Sequence, residues 1–254
     1  PMINIMLCGC GGKMGHALTR LIGEDENCAV ICGVDINTEK YADYPVYPSC
    51  GDFNGKADVI IDFSHPSCTD GVLENAKSTG TPAVICTTGL SKQQRDKITE
   101  YSKDVPLFFS ANMSIGINLI INLVSQAARL LQNDFDIEII EKHHNQKIDA
   151  PSGTALAIAD AVSEAVSYQA EYVYDRHSVR KKRSPHEIGI HAVRGGTIVG
   201  EHSVIFAGND EVIELKHQAA SKEVFAVGAV SAAKFLCGKA NGLYSMKELV
   251  EEEF

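Results

Sequence analysis

The chain has 254 residues, of which 44% are hydrophobic and 22% charged, so it can form one large or two modest globular domains. Lysine and arginine number 23 and aspartate and glutamate 33. The resulting net charge of −10 disfavours nucleic-acid binding, which requires a cationic surface. No apolar run approaches the roughly 20 residues of a membrane-spanning helix, and no secretory signal pattern is present, so we expect no membrane partner.

The eight cysteines include no C-x-x-C pair, and most of them lie in apolar segments. Disulfide frameworks are typical of small secreted chains, which this sequence does not resemble. We therefore predict buried free thiols and a cytoplasmic location.

Short apolar runs alternate with helical patterns in the first half of the chain. Ile3, Ile5 and Leu7 alternate as in a strand, and helical spacing follows from Met14 to Ile22. Strands separated by helices predict a parallel sheet with helices on both faces, as in an α/β Rossmann-type domain. The next predicted strands are 29–34, 59–63, 83–86 and 107–109, with one helix around 72–76 and another beginning at Ser91, where Gln94 completes a capping box.

The pattern changes after residue 114. A buried helix is predicted over 115–131, then a strand over 136–142 and an amphipathic helix over 154–166. Three strand-like runs joined by glycine-containing turns predict a mainly antiparallel open sheet in an α+β domain. These runs are 189–193, 198–206 and 211–217, and helices at 224–236 and 245–250 follow them.

A basic segment, 176–183, lies between the predicted helix 154–166 and the predicted strand 189–193. It is interpreted either as a solvated loop or as a flexible loop that approaches an anionic substrate or a cofactor phosphate.

A glycine-rich turn joins the first strand to the first helix and reads Gly9-Cys10-Gly11-Gly12-Lys13-Met14-Gly15. It fits G-x-x-G-x-x-G better than G-x-G-x-x-G, because Met14 stands at the usual third glycine. A glycine turn between a strand and a helix favours the pyrophosphate of a dinucleotide. Asp35 ends the second strand, where a carboxylate binds a ribose 2′-hydroxyl and repels a 2′-phosphate, so we predict NADH in preference to NADPH.

The segment with the most chemical content is 141–155. It places His143, His144 and Lys147 at the end of a strand and capping residues before the next helix. Histidine is suited to proton transfer near neutral pH, and lysine supplies a cation. Gly153 and Thr154 are predicted to present backbone N–H groups at the helix start, which would receive a carboxylate. No metal is expected, because adjacent strand residues diverge and no cysteine or carboxylate stands at a zinc-like interval.

This segment resembles E-x-H-H-x-x-K-x-D-A-P-S-G-T-A, the hallmark of the 4-hydroxy-tetrahydrodipicolinate reductase (dihydrodipicolinate reductase) family. The resemblance covers essentially the whole chain, including segments 87–89, 110–114, 193–202 and 238–244. It implies the NAD(P)H-dependent reduction of 4-hydroxy-tetrahydrodipicolinate, a cyclic dicarboxylate, to tetrahydrodipicolinate in lysine and diaminopimelate biosynthesis.

The resemblance also implies residue roles. His143 is expected to exchange a proton with the substrate, Lys147 to be a second proton donor, and His144, Gly153 and Thr154 to bind substrate. The implied cofactor contacts are Gly9, Cys10, Gly11, Gly12, Lys13, Met14, Asp35, Cys86, Thr87, Thr88, Ser110, Ala111, Asn112 and Met113.

Three positions bear on cofactor and substrate recognition. The family usually has glycine where this chain has Cys86, so a side chain there could crowd the nicotinamide. Ile36 follows Asp35 where some relatives have arginine, which supports NADH but leaves NADPH possible. Arg194, in the family-like stretch 193–202, is a further candidate for facing the substrate.

The resemblance implies a nucleotide domain of residues 1–113 and 222–254 and a substrate-binding and oligomerisation domain of residues 114–221, assembled as a homotetramer. Two alternatives are another two-domain dehydrogenase and a non-catalytic nucleotide sensor. The His-His-x-x-Lys and Ser-Gly-Thr combination disfavours the first, and the presence of both His143 and Lys147 disfavours the second.

Overall fold

The structure is a computed structural model that describes residues 2–252; residues 1, 253 and 254, which the predicted nucleotide domain includes, lie outside the described part. The chain divides into two compact units, Pro1–Ile115 with Glu223–Phe254, and Gly116–Lys222. None of the helices in the described part combines the length and the apolar character needed to cross a bilayer.

The elements are labelled in chain order. The strands are β1 (Ile3–Cys8), β2 (Cys28–Val34), β3 (Val46–Tyr47), β4 (Val59–Asp62), β5 (Ala83–Ile85), β6 (Pro106–Phe109), β7 (Asp136–His143), β8 (Glu171–Val173), β9 (Glu187–Arg194), β10 (Gly200–Ala207), β11 (Val212–Ala219) and β12 (Gly242–Tyr244). The α-helices are α1 (Lys13–Gly23), α2 (Pro66–Thr79), α3 (Lys92–Tyr101), α4 (Ile115–Leu131), α5 (Gly153–Ala165), α6 (Glu223–Leu236) and α7 (Met246–Glu252).

The first unit contains a seven-stranded parallel sheet in the order β12-β6-β5-β4-β1-β2-β3. This confirms the predicted α/β domain with a parallel sheet. The short strands β3 and β12 were not predicted. The strand order reverses between β1 and β4, and ligands of such sheets bind beyond the carboxyl ends of the strands at that point.

Alternate strand residues of this sheet pack into two separate apolar layers. Ile5 and Leu7 of β1 face the layer that includes residues of α1, α6 and α7. Met6 of β1 and Ile60 of β4 face the layer that includes residues of α2 and α3. Burial on both faces explains why the strands read as nearly continuous apolar runs.

The start of α3 confirms the predicted capping box. The Ser91 hydroxyl accepts the backbone N–H of Gln94 at 3.2 Å, and the Gln94 side chain accepts the N–H of Ser91 at 3.0 Å. Two backbone N–H groups that have no acceptor within the helix, those of Ser91 and Gln94, thereby gain hydrogen-bond partners.

The second unit contains a five-stranded mixed sheet in the order β11-β10-β7-β9-β8, so the prediction of a mainly antiparallel sheet was wrong. Strands β10 and β11 do form an antiparallel hairpin. However, β7 lies between β10 and β9, pairing antiparallel with the first and parallel with the second. The connection from β7 to β9 includes α5, and such crossovers make the joined strands parallel. The Gly195-Gly196 turn therefore does not join two paired strands.

The core of the second unit lies between one face of this sheet and helices α4 and α5. Ile137 and Ile139 of β7 and Val204 and Phe206 of β10 belong to it. The opposite face carries partly exposed side chains, among them Ile140, Ile205 and Val193.

The basic segment 176–183 is attached to this sheet by its two end residues. Arg176 pairs with Glu138 and Glu187, each at 2.7 Å. Arg183 pairs with Glu138 at 3.0 Å and donates to the main-chain oxygens of Ile137 and Glu187. The contacts of these two arginines were expected neither in the solvated-loop nor in the flexible-loop interpretation. Their hydrogen bonds and ion pairs connect β7 to β9.

The structure contains eight free cysteines, of which six are buried. The prediction of buried free thiols is confirmed for these six and wrong for Cys68, which is exposed; Cys237 is half-buried.

Candidate active site

A cavity of about 510 Å³ opens at the carboxyl ends of β1, β2 and β4, where the strand order of the first unit reverses. Of the predicted cofactor residues, Gly9, Gly12 and Asp35 line it. The other predicted cofactor residues, including segments 86–88 and 110–113, do not line this cavity.

Three of the four glycines in the turn have different structural requirements. Gly9 has φ of 77°, and a Cβ there would lie 2.6 Å from the main-chain oxygen of Phe63. A Cβ at Gly15 would overlap the carbonyl groups of Gly9 and Cys10. By contrast, a Cβ at Gly12 would be in ordinary contact at 3.5 Å. The fold therefore needs glycine at positions 9 and 15, whereas Gly12 leaves room on the cavity side.

The carboxylate of Asp35 is held against the glycine turn. It accepts the backbone N–H of Gly11 at 2.9 Å and that of Asn37 at 3.1 Å. Each carboxylate oxygen retains further acceptor capacity. Ile36, the next residue, is 90% exposed at the same cavity.

The Cys86 side chain packs in the apolar layer of α1, α6 and α7, and burial raises its pKa. The neighbouring Thr87 is also buried, and its hydroxyl donates to Asp62 at 2.9 Å. These two predicted cofactor residues thus have structural partners within the first unit.

Asp62 is a buried carboxylate that sequence reasoning missed. Burial raises its pKa, which hydrogen bonds from Ser64 and Thr87 oppose. Its position at the end of a buried strand, like that of Asp35, was the available signal.

The loop 110–113 lies close to α6. Ser110 donates to the Asn112 main-chain oxygen at 3.2 Å, and the Asn112 side chain accepts the N–H of Ser114 at 2.8 Å. A Cβ at Gly228 of α6 would overlap the main-chain oxygen of Met113. Gly228 is thus needed for this approach, which no local sequence pattern signals.

These residues fit a dinucleotide. The cavity lies at the reversal of the strand order, the start of α1 supplies backbone donors for a pyrophosphate, and Asp35 supplies an acceptor for a ribose hydroxyl. Lys13 and Met14 begin α1 beside this turn.

In the second unit, the side chain of Glu141 is fully buried and organises its surroundings. It accepts His143 Nδ1 at 2.6 Å and two Arg194 nitrogens at 2.8 Å each. It also accepts the backbone N–H of Ser152 at 3.0 Å. Burial alone would raise the pKa of Glu141, but the hydrogen bonds from Arg194, His143 and Ser152 outweigh it and lower that pKa.

Because an ionised carboxylate only accepts hydrogen bonds, His143 Nδ1 carries a hydrogen, and Nε2 is the ring nitrogen that does not contact Glu141. A Cβ at Gly200 would lie 3.1 Å from this Nε2, so glycine there leaves the imidazole room. Glu141 was not identified from the sequence, although it is the first letter of the motif.

Arg194 does not present its terminal nitrogens to a ligand as the sequence suggested. They donate to Glu141 and to the main-chain oxygens of Val193 and Asp149. The side chain therefore holds β7, β9 and the loop after β7 together.

Two further histidines of this unit, His202 and His217, were missed. His202 stacks edge-on against His143 with ring centroids 5.2 Å apart, and its Nε2 lies 3.1 Å from the Ser152 hydroxyl. Burial, with His143 nearby, lowers the pKa of His202 to about 4. His217 lies opposite His202 across the hairpin, and the buried Nδ1 atoms of both have no hydrogen-bond partner among the described residues. The sequence did carry a signal for His202. The alternation of β10 puts it on the same face as Val204 and Phe206, so its burial could have been predicted.

The start of α5 lies beside this cluster. Ser152 caps the helix by accepting the N–H of Ala155 at 3.1 Å, and Gly153 and Thr154 are its first residues. Lys147 pairs with Asp149 at 2.9 Å in the loop between β7 and α5. His144 is half-buried immediately after β7. The structure thus brings His143, Lys147, Gly153 and Thr154 onto one strand end, one loop and one helix start.

The described part of the chain is residues 2–252. Within that range, no group of three or more His, Cys, Asp or Glu side chains is arranged to hold a metal ion.

Two family models together match nearly the whole chain. The model described as dihydrodipicolinate reductase, N-terminus, matches residues 3–113, and the one described as dihydrodipicolinate reductase, C-terminus, matches residues 116–250. The chain belongs to the dihydrodipicolinate reductase family. The predicted family is thereby confirmed; the chain is an oxidoreductase, and its first unit indicates a nicotinamide nucleotide cofactor.

Named relatives agree with this assignment. The 4-hydroxy-tetrahydrodipicolinate reductase of Clostridium novyi (strain NT) is 48% identical over 252 residues, covering 99% of this chain and 100% of the relative. The protein of the same name from Caldanaerobacter subterraneus subsp. tengcongensis is 51% identical over 251 residues, covering 99% of each.

Solved structures share the dihydrodipicolinate reductase fold. A dipicolinate-bound dihydrodipicolinate reductase from Paenisporosarcina sp. TG-14 matches with a TM-score of 0.82 at 24% identity, covering 96% of this chain and 98% of that one. A myo-inositol dehydrogenase from Lactobacillus casei in complex with NAD(H) and myo-inositol matches with a TM-score of 0.59 at 13% identity, covering 98% and 91%. At these identities the matches show a common fold alone.

Proposed function

We propose that the chain reduces 4-hydroxy-tetrahydrodipicolinate to tetrahydrodipicolinate in lysine and diaminopimelate biosynthesis. One hydride enters the ring, one proton is taken up and one water leaves. The reduced nicotinamide cofactor supplies the hydride when it is bound. Family membership supports this reaction, as do the names of relatives about 50% identical over the full chain. The dipicolinate bound to the Paenisporosarcina protein is a cyclic dicarboxylate of the same class.

The observation that carries the proposal is the hydrogen-bonded series from Arg194 through Glu141 to His143. Glu141 fixes the ring and its tautomer, so that Nε2 of His143 exchanges a proton with the substrate. A histidine oriented by a carboxylate is an effective general acid, because its position is set before the reaction. Lys147 is the second proton donor, and its cation also offsets negative charge that develops on the ring.

The start of α5 is proposed to bind a substrate carboxylate. Backbone N–H groups at a helix start attract anions through hydrogen bonds and the helix dipole. Gly153 and Thr154 would supply these donors, and His144 would bind the substrate from the preceding loop. The space around Gly153 supports this role, since a Cβ there would meet nothing within 4 Å.

We also propose that NADH is preferred to NADPH. Asp35 lines the cavity with its carboxylate held at the glycine turn, and the exposed Ile36 supplies no cation for a 2′-phosphate. The kcat/KM values for the two cofactors test this. An NADPH advantage of tenfold or more would contradict it, although Lys13 at the start of α1 could reduce the preference.

The first unit is the proposed nucleotide domain and the second the proposed substrate and oligomerisation domain. The cofactor contacts are those named above, from the glycine turn to segment 110–113. A homotetramer is proposed, supported by the partly apolar sheet face at Ile140, Val193 and Ile205. Light scattering that finds a monomer would refute it. The free thiols support a cytoplasmic location.

A coupled assay tests the reaction. The product of the preceding condensation step is supplied, and NADH and NADPH consumption are followed separately. His143→Asn should lower kcat by about 100-fold or more, as expected for loss of an acid–base group, while NADH affinity stays unchanged. The exposed His177→Asn is the matched control. Full activity in His143→Asn would refute the assigned role, and no turnover by the unaltered protein would refute the reaction.

A further inference from the structure

The side chain of Asp149 lies beside Lys147, the proposed second proton donor, in the loop that leads to the proposed carboxylate-binding start of α5. Its carboxylate is 2.9 Å from the ammonium of Lys147. The Lys147 ammonium lowers the pKa of this carboxylate, and the nearby backbone N–H of Gly153, in the first turn of α5, adds a smaller effect in the same direction. An ionised carboxylate of the protein thus contacts Lys147 and lies near the helix start that is proposed to receive a carboxylate of the substrate.

The anchoring of this residue permits its side chain to leave. The main-chain oxygen of Asp149 accepts a hydrogen bond from Arg194, which is itself held by Glu141. The backbone position is therefore tied to the sheet. The side chain, by contrast, is 58% exposed, so a change of rotamer can move its carboxylate into solvent while the loop stays in place.

Two other donors at this helix start are already engaged. The N–H of Ser152 is bound by Glu141, and that of Ala155 by the Ser152 hydroxyl. A substrate carboxylate that approaches the first residues of α5 therefore comes close to Asp149, and it competes with Asp149 for Lys147.

We propose that the Asp149 carboxylate is an internal placeholder, which occupies the substrate-carboxylate position in the ligand-free enzyme and moves away when a dicarboxylate binds. This inference rests on the proposed function of the site. The placeholder keeps Lys147 paired until a ligand that supplies its own carboxylate arrives, and it weakens the binding of simple anions. Asp149 is accordingly a residue that tunes affinity and specificity.

Binding of dipicolinate to Asp149→Asn, measured by titration calorimetry, tests the proposal. The amide keeps the size of the side chain and removes the competing charge. We expect the Kd to fall by about 2- to 5-fold, since an exposed ion pair contributes up to about 1 kcal/mol. The exposed Asp134→Asn removes a charge from the same unit and should leave the Kd unchanged. An unchanged or higher Kd for Asp149→Asn would overturn the placeholder while leaving the proposed reaction intact.

A crystal structure of the unaltered protein with dipicolinate gives a second test that does not depend on any variant. We expect a ligand carboxylate oxygen on the Lys147 ammonium and the Asp149 side chain turned away from it. Persistence of the Lys147–Asp149 pair with the ligand bound would overturn the placeholder alone. Failure of the unaltered protein both to bind dipicolinate and to turn over substrate would overturn the proposed function, and the placeholder with it.

Discussion

Replacement of Glu141 by glutamine tests the arrangement around His143 most directly. The variant keeps the shape of the side chain but leaves the guanidinium of Arg194, whose side chain is 20% exposed, without its counter-charge. His143 Nδ1 and the Ser152 N–H each bind a different carboxylate oxygen of Glu141. Glutamine has an amide nitrogen in place of one of these oxygens, and this nitrogen cannot accept a hydrogen bond.

Breaking a buried ion pair by removing one partner costs about 3–5 kcal/mol. Because Arg194 retains some solvent contact, we expect a loss near the lower value, about 3 kcal/mol. For a chain of this size that corresponds to a decrease in Tm of roughly 6–12 °C. We expect kcat to fall by about 100-fold as well, since His143 loses the group that fixes its tautomer.

Calorimetric Tm values and steady-state kinetics measure the two effects separately. The double variant Glu141→Gln, Arg194→Met removes the unpaired charge, so it should recover most of the lost stability but none of the lost kcat. Recovery of kcat with stability would show that Glu141 acts only on folding. A single variant with unaltered Tm and kcat would refute the reasoning altogether.

Three further expectations follow from particular contacts. Gly12→Ala should raise the Kd for NADH by about 10-fold at unchanged Tm. Gly15→Ala should instead destabilise the fold by about 2–3 kcal/mol, because a Cβ at position 15, unlike one at position 12, overlaps main-chain carbonyls. Equal Tm values for the two variants would contradict this. The pKa of His202 is about 4 in the fold against 6.5 unfolded, so the unfolded chain binds more protons between these values and stability should decrease by about 3 kcal/mol as the pH falls from 6.5 towards 4. Denaturant titrations should show a flatter pH dependence for His202→Asn, and an unchanged slope would exclude His202 as the cause. Arg183→Met should cost about 2–3 kcal/mol in unfolding free energy, because it removes hydrogen bonds to three main-chain oxygens and the ion pairs with Glu138 and Asp136, while the exposed Arg180→Met should cost less than about 0.5 kcal/mol.

The outcome for the second sheet shows what local patterns can and cannot predict. Residues 189–193, 198–206 and 211–217 were correctly predicted as strands, since alternation of side chains is a local property. Their pairing was only half right. The hairpin of β10 and β11 has a short turn that specifies its partner, whereas β7 pairs with both β9 and β10 over long sequence separations. The alternation of side chains along β9 does not indicate that β7 is its neighbour.

The residues around the motif show the same division. The motif predicted where a proton donor and a helix start would occur along the chain, and the capping geometry at Ser152 follows from its neighbours. The contacts of Glu141 with Arg194 join residues 53 positions apart. His202 and His217 likewise reach the cluster from other strands.

The sequence by itself determined the elements that local geometry controls. These are the glycine turn between β1 and α1, the buried strands of the parallel sheet, the capped start of α3 and the positions of His143 and Lys147 along the chain. Only the tertiary structure decided that β7 is central in a mixed sheet, that Arg194 serves Glu141 and that a carboxylate of the chain contacts Lys147. The physical reason is that backbone periodicity and capping depend on neighbouring residues, whereas strand order and buried charge pairing depend on side chains that meet only after folding.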